Sequence, residues 1–373
     1  MLKNPAVRPL HIHIPDEDIK DLQYRLKNAR WPTPITPSNW ADGTDGDYLR
    51  DLVHYWANTY NWREREEKLN RFAHYQADVD GTTLHFIHAA ATSENATPLL
   101  LMQGWPSSFV QVLNIIPLLT GRFEVIAVSM PGYPFTKFPE EHGMSFVRMA
   151  DLVKKLMVDV LGFARFAARG SDQGALVQQQ IGLKYREHVI GLHRTGITPF
   201  LSPQPNDLSE AEVAYQQKVA AWAPEETLYA RFQSLRPETL TPALSDSPVA
   251  LASWFIEKFQ RWGDCDGNVD AHFGRDALLD NLSLHWFTNA GAASVRIYRE
   301  VFRAWGLTGR VAAPTAIIMP LKDAVTVPAP REWAERFYNV QRFTVMERGG
   351  HFAEWEVPQE IAEDIKTFFE GLK

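Results

Sequence analysis

Gly170-Ser171-Asp172-Gln173-Gly174 joins a short apolar strand, predicted over Phe166–Ala168, to a helix predicted over Gly174–Glu187. Small residues around one polar residue at a strand-to-helix turn are typical of a nucleophile elbow. The commoner hydrolase version has Ser at the centre, whereas this chain has Asp172. An Asp at a helix N-terminus also fits a plain capping turn, so the pentapeptide alone leaves both interpretations open.

Strand and helix patterns alternate on both sides of this pentapeptide. The strand patterns are Thr83–His88, Pro98–Met102, Phe123–Met130, Thr315–Met319 and Arg342–Met346. The helix patterns between and after them are Phe109–Leu119, Phe146–Leu161, Pro330–Phe337 and Pro358–Leu372. Alternation of this kind predicts an α/β fold with a mostly parallel sheet and helices on both faces.

The alternation stops between about residues 200 and 305. After a loop over Pro203–Asn206, helical patterns follow one another without a strand, over Glu210–Trp222, Pro224–Leu235, Pro248–Trp262 and Ser294–Trp305. Ahead of the alternating part, further helical patterns occupy residues 15–32 and Tyr48–Asn70. We therefore expect an N-terminal extension over residues 1–92, an α/β core over residues 93–200 and 306–373, and a helical lid over residues 201–305. Because ligands bind at the carboxyl ends of the strands in such sheets, the lid is expected to cover that edge.

Composition argues against several classes of protein. The 373 residues carry 38 Lys and Arg against 45 Asp and Glu, and this net charge of -7 argues against nucleic acid or an anionic membrane as a partner. No run approaches the ~18–20 apolar residues of a membrane span, and the N-terminus lacks the apolar segment of a secretory signal. The single Cys265 excludes an intramolecular disulfide and a cysteine-rich metal site. We expect a cytoplasmic protein without a metal or cofactor.

An aspartate nucleophile indicates a particular chemistry. It attacks an alkyl carbon and leaves an alkyl ester on the enzyme, which suits epoxides and alkyl halides but not acyl transfer. Gln103-Gly104-Trp105-Pro106-Ser107 directly follows the strand predicted over Pro98–Met102, and such a turn leaves backbone N–H groups pointing into the crevice. The N–H groups of Trp105 and Gln173 are therefore expected to form an oxyanion hole.

A candidate general base and a candidate acid each follow a predicted strand, as the nucleophile does. Gly349-Gly350-His351-Phe352 follows the last predicted strand, and His351 is the expected general base for water. Asp323, which follows the preceding strand, is the expected acid that orients this base. The chain order of nucleophile, acid and base is the order of the α/β-hydrolase fold.

These segments together resemble an α/β-hydrolase-fold epoxide hydrolase of the microsomal-like group, which has an N-terminal extension ahead of its core. The resemblance covers essentially the whole chain, and Met130-Pro131-Gly132-Tyr133 adds to it. It implies that two lid tyrosines, Tyr229 in Tyr-x6-Arg-Pro and Tyr298 in Ile297-Tyr298-Arg299-Glu300, donate hydrogen bonds to the epoxide oxygen. Gln103 departs from the pattern of this family, which usually has His before the Gly of the oxyanion turn, here Gly104.

The resemblance implies hydrolysis of an epoxide to a vicinal diol through a covalent ester on Asp172, with no cofactor. Two alternatives stay open, a haloalkane dehalogenase that shares the nucleophile and base, and a non-catalytic relative that binds a small molecule. The expected partners are a small apolar epoxide and a second copy of the chain in a homodimer, with no nucleic acid and no membrane anchor.

Overall fold

Nine strands form one sheet in the computed structural model, which describes residues 4–200, 206–304, 306 and 308–372. They are β1 Val7–Leu10, β2 His74–Val79, β3 Thr82–Ala89, β4 Thr97–Met102, β5 Phe123–Ser129, β6 Phe166–Gly170, β7 Val189–Thr195, β8 Val311–Pro320 and β9 Tyr338–Met346. Their order across the sheet is β1-β2-β3-β5-β4-β6-β7-β8-β9. The pairs from β1 to β3, and β3 with β5, are antiparallel, and the pairs among β4 to β9 are parallel. The sheet is therefore mostly parallel, as predicted.

The helices of the described residues fall into three groups along the chain. The first group is α1 Asp16–Lys27, α2 Gly46–Asn58 and α3 Trp62–Leu69, and the second is α4 Ile116–Leu119, α5 Phe146–Lys154 and α6 Asp172–Lys184. The third group falls in the predicted lid and contains α7 Glu210–Glu226, α8 Leu228–Leu235, α9 Pro237–Asp246, α10 Pro248–Trp262, α11 Val269–Phe273, α12 Arg275–Phe287 and α13 Ala290–Arg303. The chain returns to the sheet with α14 Arg331–Phe337, α15 Ala353–Glu356 and α16 Pro358–Glu370. Among the described residues, no helix combines the length and apolar character that a membrane span requires.

The sheet separates two apolar cores. Successive side chains of strand β4 point to opposite faces, so Leu99 and Leu101 join one core while Leu100 joins the other. Helices α4 and α16 pack on the first face, and α5 and α6 pack on the second. With both faces covered, the carboxyl ends of the parallel strands are the edge at which a site can form.

The N-terminal extension packs against the lid. Three tyrosines donate hydrogen bonds to three aspartates of the lid, namely Tyr48 to Asp270 (2.5 Å), Tyr55 to Asp276 (2.9 Å) and Tyr60 to Asp280 (2.8 Å). Trp56, which is buried, donates its indole N–H to the Ser283 hydroxyl (3.1 Å). Two segments more than two hundred residues apart in the chain are thus joined by polar contacts.

The predicted elements are found with some corrections. The helix predicted over Phe109–Leu119 is wrong, because a 3-10 turn over Phe109–Val112 is followed by the separate helix α4. Pro117 has no N–H to donate inside a continuous helix, and it occupies the first turn of α4. The pattern over Tyr48–Asn70 divides into α2 and α3, and the helix predicted over Phe146–Leu161 continues beyond α5 as a π-helix over Lys155–Val160.

The predicted boundary between the N-terminal extension and the core does not coincide with the edge of the sheet. Strands β1, β2 and β3 fall within the predicted extension 1–92, yet all three belong to the central sheet. Residues 203–205 of the loop predicted over Pro203–Asn206, and the predicted lid boundaries at 201 and 305, lie outside the described residues. The division into extension, core and lid stays a prediction.

Candidate active site

The nucleophile elbow lies between β6 and α6. Asp172 begins α6 with a φ of 48°, in the left-handed region that a non-glycine residue rarely adopts. Gly174 lets the start of α6 approach β4, because a Cβ at this position would lie 2.4 Å from the Met102 carbonyl oxygen. The strained turn projects the Asp172 carboxyl from the end of the strand into a cavity.

The turn after β4 contacts this carboxyl directly. The Trp105 N–H donates a hydrogen bond to Asp172 Oδ1 at 2.9 Å. Gly104 permits this approach, because a Cβ there would lie 2.0 Å from the same oxygen. Gln173 follows the carboxyl in the chain, but among the described residues its N–H donates no hydrogen bond to Asp172. Its side-chain Oε1 accepts a hydrogen bond from the Tyr133 hydroxyl (3.0 Å).

His351 lies between two carboxylates. Its Nε2 is 3.5 Å from Asp172 Oδ2, and its Nδ1 is 3.2 Å from Asp323 Oδ1. Asp323 is held in turn by the Val325 N–H (2.8 Å) and the Thr326 hydroxyl (2.6 Å). Burial on its own would lower the pKa of His351, but the Asp323 and Asp172 carboxylates outweigh it and raise that pKa to about 10.

The turn that carries His351 is held in place by the Glu356 carboxylate, which was not predicted from the sequence. Glu356 Oε2 accepts hydrogen bonds from the Gly350 N–H (2.9 Å) and the Asp264 N–H (2.7 Å), while Oε1 accepts from the Phe352 N–H (2.8 Å). The His351 N–H itself donates to the Trp262 carbonyl of α10 (2.9 Å). The base is thus positioned by contacts with both the core and the lid.

Two lid phenols face the elbow. Tyr229 in α8 stacks on Trp105 with ring centroids 5.3 Å apart, and Tyr298 in α13 meets the same indole edge-on at 5.9 Å. The two phenol rings are 5.8 Å apart. Burial, reinforced by nearby negative charge including that of Asp172, raises the pKa of both phenols well above 10. Both hydroxyls therefore stay protonated at neutral pH and can donate hydrogen bonds.

These side chains share one cavity of about 520 Å³. Asp172, Gln173, Asp323 and His351 line it from the core, and Tyr229 and Tyr298 line it from the lid. Trp105 reaches the same point through its hydrogen bond to Asp172. The seven site residues predicted from sequence therefore come together. Within the described parts of the chain, no group of three or more His, Cys, Asp and Glu side chains is arranged to hold a metal ion.

A buried polar network beneath the elbow was not predicted. Arg169 in β6 forms an ion pair with Glu354 (2.7 Å), and Gln111 donates to the same carboxylate (2.7 Å) and to the Ser171 hydroxyl (3.3 Å). The sequence holds no local signal for this network, since its members come from three separate segments. Gln103, the departure from the family pattern, is buried, and neither polar atom of its side-chain amide has a partner in the described chain.

Comparison with known proteins identifies the family. Two family models match overlapping parts of the chain, the epoxide hydrolase N terminus over residues 7–112 and the α/β-hydrolase fold over residues 97–238. Epoxide hydrolase 1 of Sus scrofa is 32% identical over 406 aligned residues, which cover 98% of this chain and 89% of that protein. This chain belongs to the epoxide hydrolase family.

Solved structures agree with this family assignment. The silkworm (Bombyx mori) juvenile hormone epoxide hydrolase superposes on this epoxide hydrolase with a TM-score of 0.90, covering 99% of this chain and 96% of that one at 27% identity. The Aspergillus niger epoxide hydrolase gives a TM-score of 0.86 at 27% identity, covering 100% and 99% of the two chains. The predicted α/β-hydrolase fold and the predicted family are both confirmed.

Proposed function

We propose that this epoxide hydrolase converts an epoxide to a vicinal diol through a covalent ester on Asp172. The observation that carries the proposal is that the two oxygens of this carboxyl have different contacts. Oδ1 accepts the Trp105 N–H, whereas Oδ2 faces His351 Nε2 across 3.5 Å. One oxygen is therefore held by the oxyanion turn, and the other is available for attack.

Ring opening uses the carboxylate and the phenols together. Asp172 Oδ2 attacks an oxirane carbon and forms the ester bond while the carbon–oxygen bond of the ring breaks. Tyr229 and Tyr298 donate hydrogen bonds to the departing oxygen, and one of them supplies its proton as the negative charge develops. Because their pKa values are raised, the phenols carry that proton before each reaction begins.

Hydrolysis of the ester uses His351. Esterification removes the negative charge of Asp172, one of the two carboxylates that raise the pKa of His351. The ring therefore gives up a proton more readily, and this proton restores the phenol that lost its own during ring opening. His351, oriented by Asp323, then takes a proton from water, and the water oxygen attacks the ester carbonyl. The Trp105 N–H and, by its position, the Gln173 N–H stabilise the oxyanion on Oδ1. The bond between the carbonyl carbon and Oδ2 then breaks, and Oδ2 leaves with the diol after taking the second proton of the water. Asp172 returns to a carboxylate that contains one oxygen from water.

The epoxide is favoured over the alternatives by the lid. Two phenols beside the nucleophile supply a proton to an oxygen leaving group, which a halide does not need. The complete set of nucleophile, base and orienting acid argues against a non-catalytic binding protein. Halide release from a haloalkane at a rate matching diol formation from styrene oxide would favour the dehalogenase instead.

A single turnover in ¹⁸O water tests the ester. Water attacks the carbonyl carbon of the ester, so one ¹⁸O atom is expected in the Asp172 carboxyl of the recovered protein, as read by peptide mass spectrometry. An unlabelled Asp172 after diol release would contradict the mechanism. With excess styrene oxide, His351→Gln is expected to accumulate the alkyl ester, because the base for the second step is missing.

The neighbouring serine provides a matched control. Asp172→Ala is expected to abolish diol formation, whereas Ser171→Ala, one residue earlier in the same turn, is expected to keep it. The reverse result would make Ser171 the nucleophile and the elbow assignment wrong. The homodimer and the cytoplasmic location remain proposals from sequence, and sedimentation of the purified protein checks the homodimer.

A further inference from the structure

Arg194 is a buried cation in the wall of the catalytic cavity. It lies in β7, directly opposite Gly170 of the elbow strand, and is only 2% exposed. It lines the same cavity as Asp172 and His351. The small exposed part of this side chain is therefore expected to face the space in which the substrate binds.

The partners of Arg194 leave its charge uncompensated. Nε donates to the Gly196 carbonyl (3.0 Å) and Nη1 donates to the Tyr338 hydroxyl, with the guanidinium 4.7 Å from the centre of that ring. Burial raises the pKa of Tyr338, so its phenol stays neutral. In the part of the chain that the structure describes, Nη2 makes no hydrogen bond and no carboxylate forms an ion pair with Arg194.

A second buried arginine, Arg169, is paired with a carboxylate. Arg169, which is 1% exposed, has the Glu354 carboxylate at 2.7 Å. A buried charge without a partner is strongly destabilising, so buried cations are normally paired. Arg194 differs from Arg169 in facing the cavity, where a ligand can supply the missing negative charge.

The position of Arg194 separates it from the reacting carboxyl. Its guanidinium stacks on Tyr338 of β9 and donates to the Gly196 carbonyl, and among the described residues it forms no hydrogen bond or ion pair with Asp172. Apolar side chains line the cavity around these groups, among them Leu176, Ile197, Trp222 and Val301. The arrangement suits a molecule with a reactive group at one end, an apolar body and a single anionic group at the other end.

We propose that Arg194 binds the carboxylate of the substrate, and that this enzyme prefers epoxides with a carboxylate on an apolar chain. The inference rests on the proposed function, which places the oxirane beside Asp172. A guanidinium donates paired hydrogen bonds to a carboxylate, and Nη2 is free to do so. A phosphate carries up to two negative charges, whereas Arg194 supplies one positive charge. The Asp172 and Asp323 carboxylates in the same cavity would repel the second negative charge, so a carboxylate is favoured over a phosphate. The predicted apolar epoxide thereby becomes an amphiphilic one.

Matched acid and ester substrates test the proposal. The substrates are terminal epoxides of octanoate, decanoate and dodecanoate, each compared with its methyl ester by diol formation. At the best chain length, kcat/KM for the acid is expected to exceed that for the ester by about tenfold or more, the effect of a charge-assisted hydrogen bond. Arg194→Met is expected to reduce this ratio to about one, and Arg194→Lys to retain part of it.

Arg231→Met is the control, because Arg231 also lines the cavity but is exposed. This variant is expected to keep the preference for the acid. Equal kcat/KM for acid and ester in the unaltered enzyme, or a preference that survives Arg194→Met, would overturn the proposal. Loss of the preference in Arg231→Met instead would assign the carboxylate to the exposed cation.

A binding measurement keeps the proposal testable if Arg194→Met does not fold. Decanoate is expected to bind the unaltered enzyme at least about tenfold more tightly than methyl decanoate in calorimetric titration. Equal affinities would overturn the proposal, and tighter binding of decyl phosphate than decanoate would overturn the choice of carboxylate. Because this titration involves no turnover, its result is independent of whether Asp172 is the nucleophile.

Discussion

Gly104→Ala is a small substitution at the point where the oxyanion turn meets the elbow. The added Cβ would lie 2.0 Å from Asp172 Oδ1 and 2.3 Å from Asp172 Cβ, whereas ordinary contacts begin at 3.4 Å. The turn and the carboxyl therefore have to separate by more than 1 Å. The hydrogen bond from the Trp105 N–H to Oδ1, now 2.9 Å, does not survive such a shift.

The expected loss of activity follows from that displacement. A misplacement of about 1 Å at a reacting centre costs about 10²-fold in rate, and loss of one oxyanion donor costs about 10²- to 10³-fold. We expect kcat/KM of Gly104→Ala to fall by about 10²- to 10³-fold. Overpacking costs about 1–3 kcal/mol of unfolding free energy, so the variant is expected to fold.

The assay is diol formation from styrene oxide, with urea unfolding of the same samples. Gly121→Ala is the matched control, since a Cβ at Gly121 meets no atom within 4 Å, and both its activity and its stability are expected to stay near those of the unaltered enzyme. If Gly104→Ala folded and turned over within threefold of the unaltered enzyme, the geometry assigned to the oxyanion turn would be wrong.

Three other sites yield expectations of the same kind. Tyr298→Phe is expected to lower kcat/KM for styrene oxide by about 10²-fold, because a donor to the leaving oxygen is lost, and an unchanged value would contradict that role. His285 is buried, and burial lowers its pKa from 6.5 to about 4. As the pH falls from 6.5 to 4, the unfolded chain therefore binds a proton at this position before the folded chain does, which lowers the free energy of unfolding. Urea titrations should show a loss of up to about 3 kcal/mol over this pH range, and His285→Gln should not show this loss. Glu354→Gln leaves Arg169 buried without its carboxylate and is expected to cost about 3–5 kcal/mol of unfolding free energy by the same titration, whereas a cost below about 1 kcal/mol would mean that the ion pair is not needed.

Much of the fold follows from local patterns in the sequence. Strands such as β5 and helices such as α10 are apolar or periodic over their whole length, so their bounds are predicted within a residue or two. Strand β7 was missed because His193 and Arg194 interrupt its apolar pattern. The partner of His193 is Asp364, 171 residues away, and no local rule shows that such a polar residue is satisfied inside a sheet.

Some residues of the site could also be predicted from local patterns in the sequence, and others could not. Asp172, Asp323 and His351 are predictable because each follows a strand, and strand ends of a parallel sheet meet at one edge. Tyr229 and Tyr298 come only from the family resemblance, since nothing in a helical pattern indicates which face a phenol occupies. Residues that act from behind the site, such as Glu356, become visible only when the segment around Asp264 is folded against the segment that carries His351.

The phenol–aspartate contacts between the N-terminal extension and the lid have a consequence for protein engineering. The donors Tyr48, Tyr55 and Tyr60 belong to one segment, and their acceptors belong to another. A lid transplanted alone from a relative would leave these donors without acceptors unless it carried acidic residues at the same places. Arg25 also pairs with Asp246, and the Thr44 hydroxyl donates to the Ser253 carbonyl. A module exchanged to alter substrate range should therefore contain the lid together with residues 25–70, with crossover points outside both.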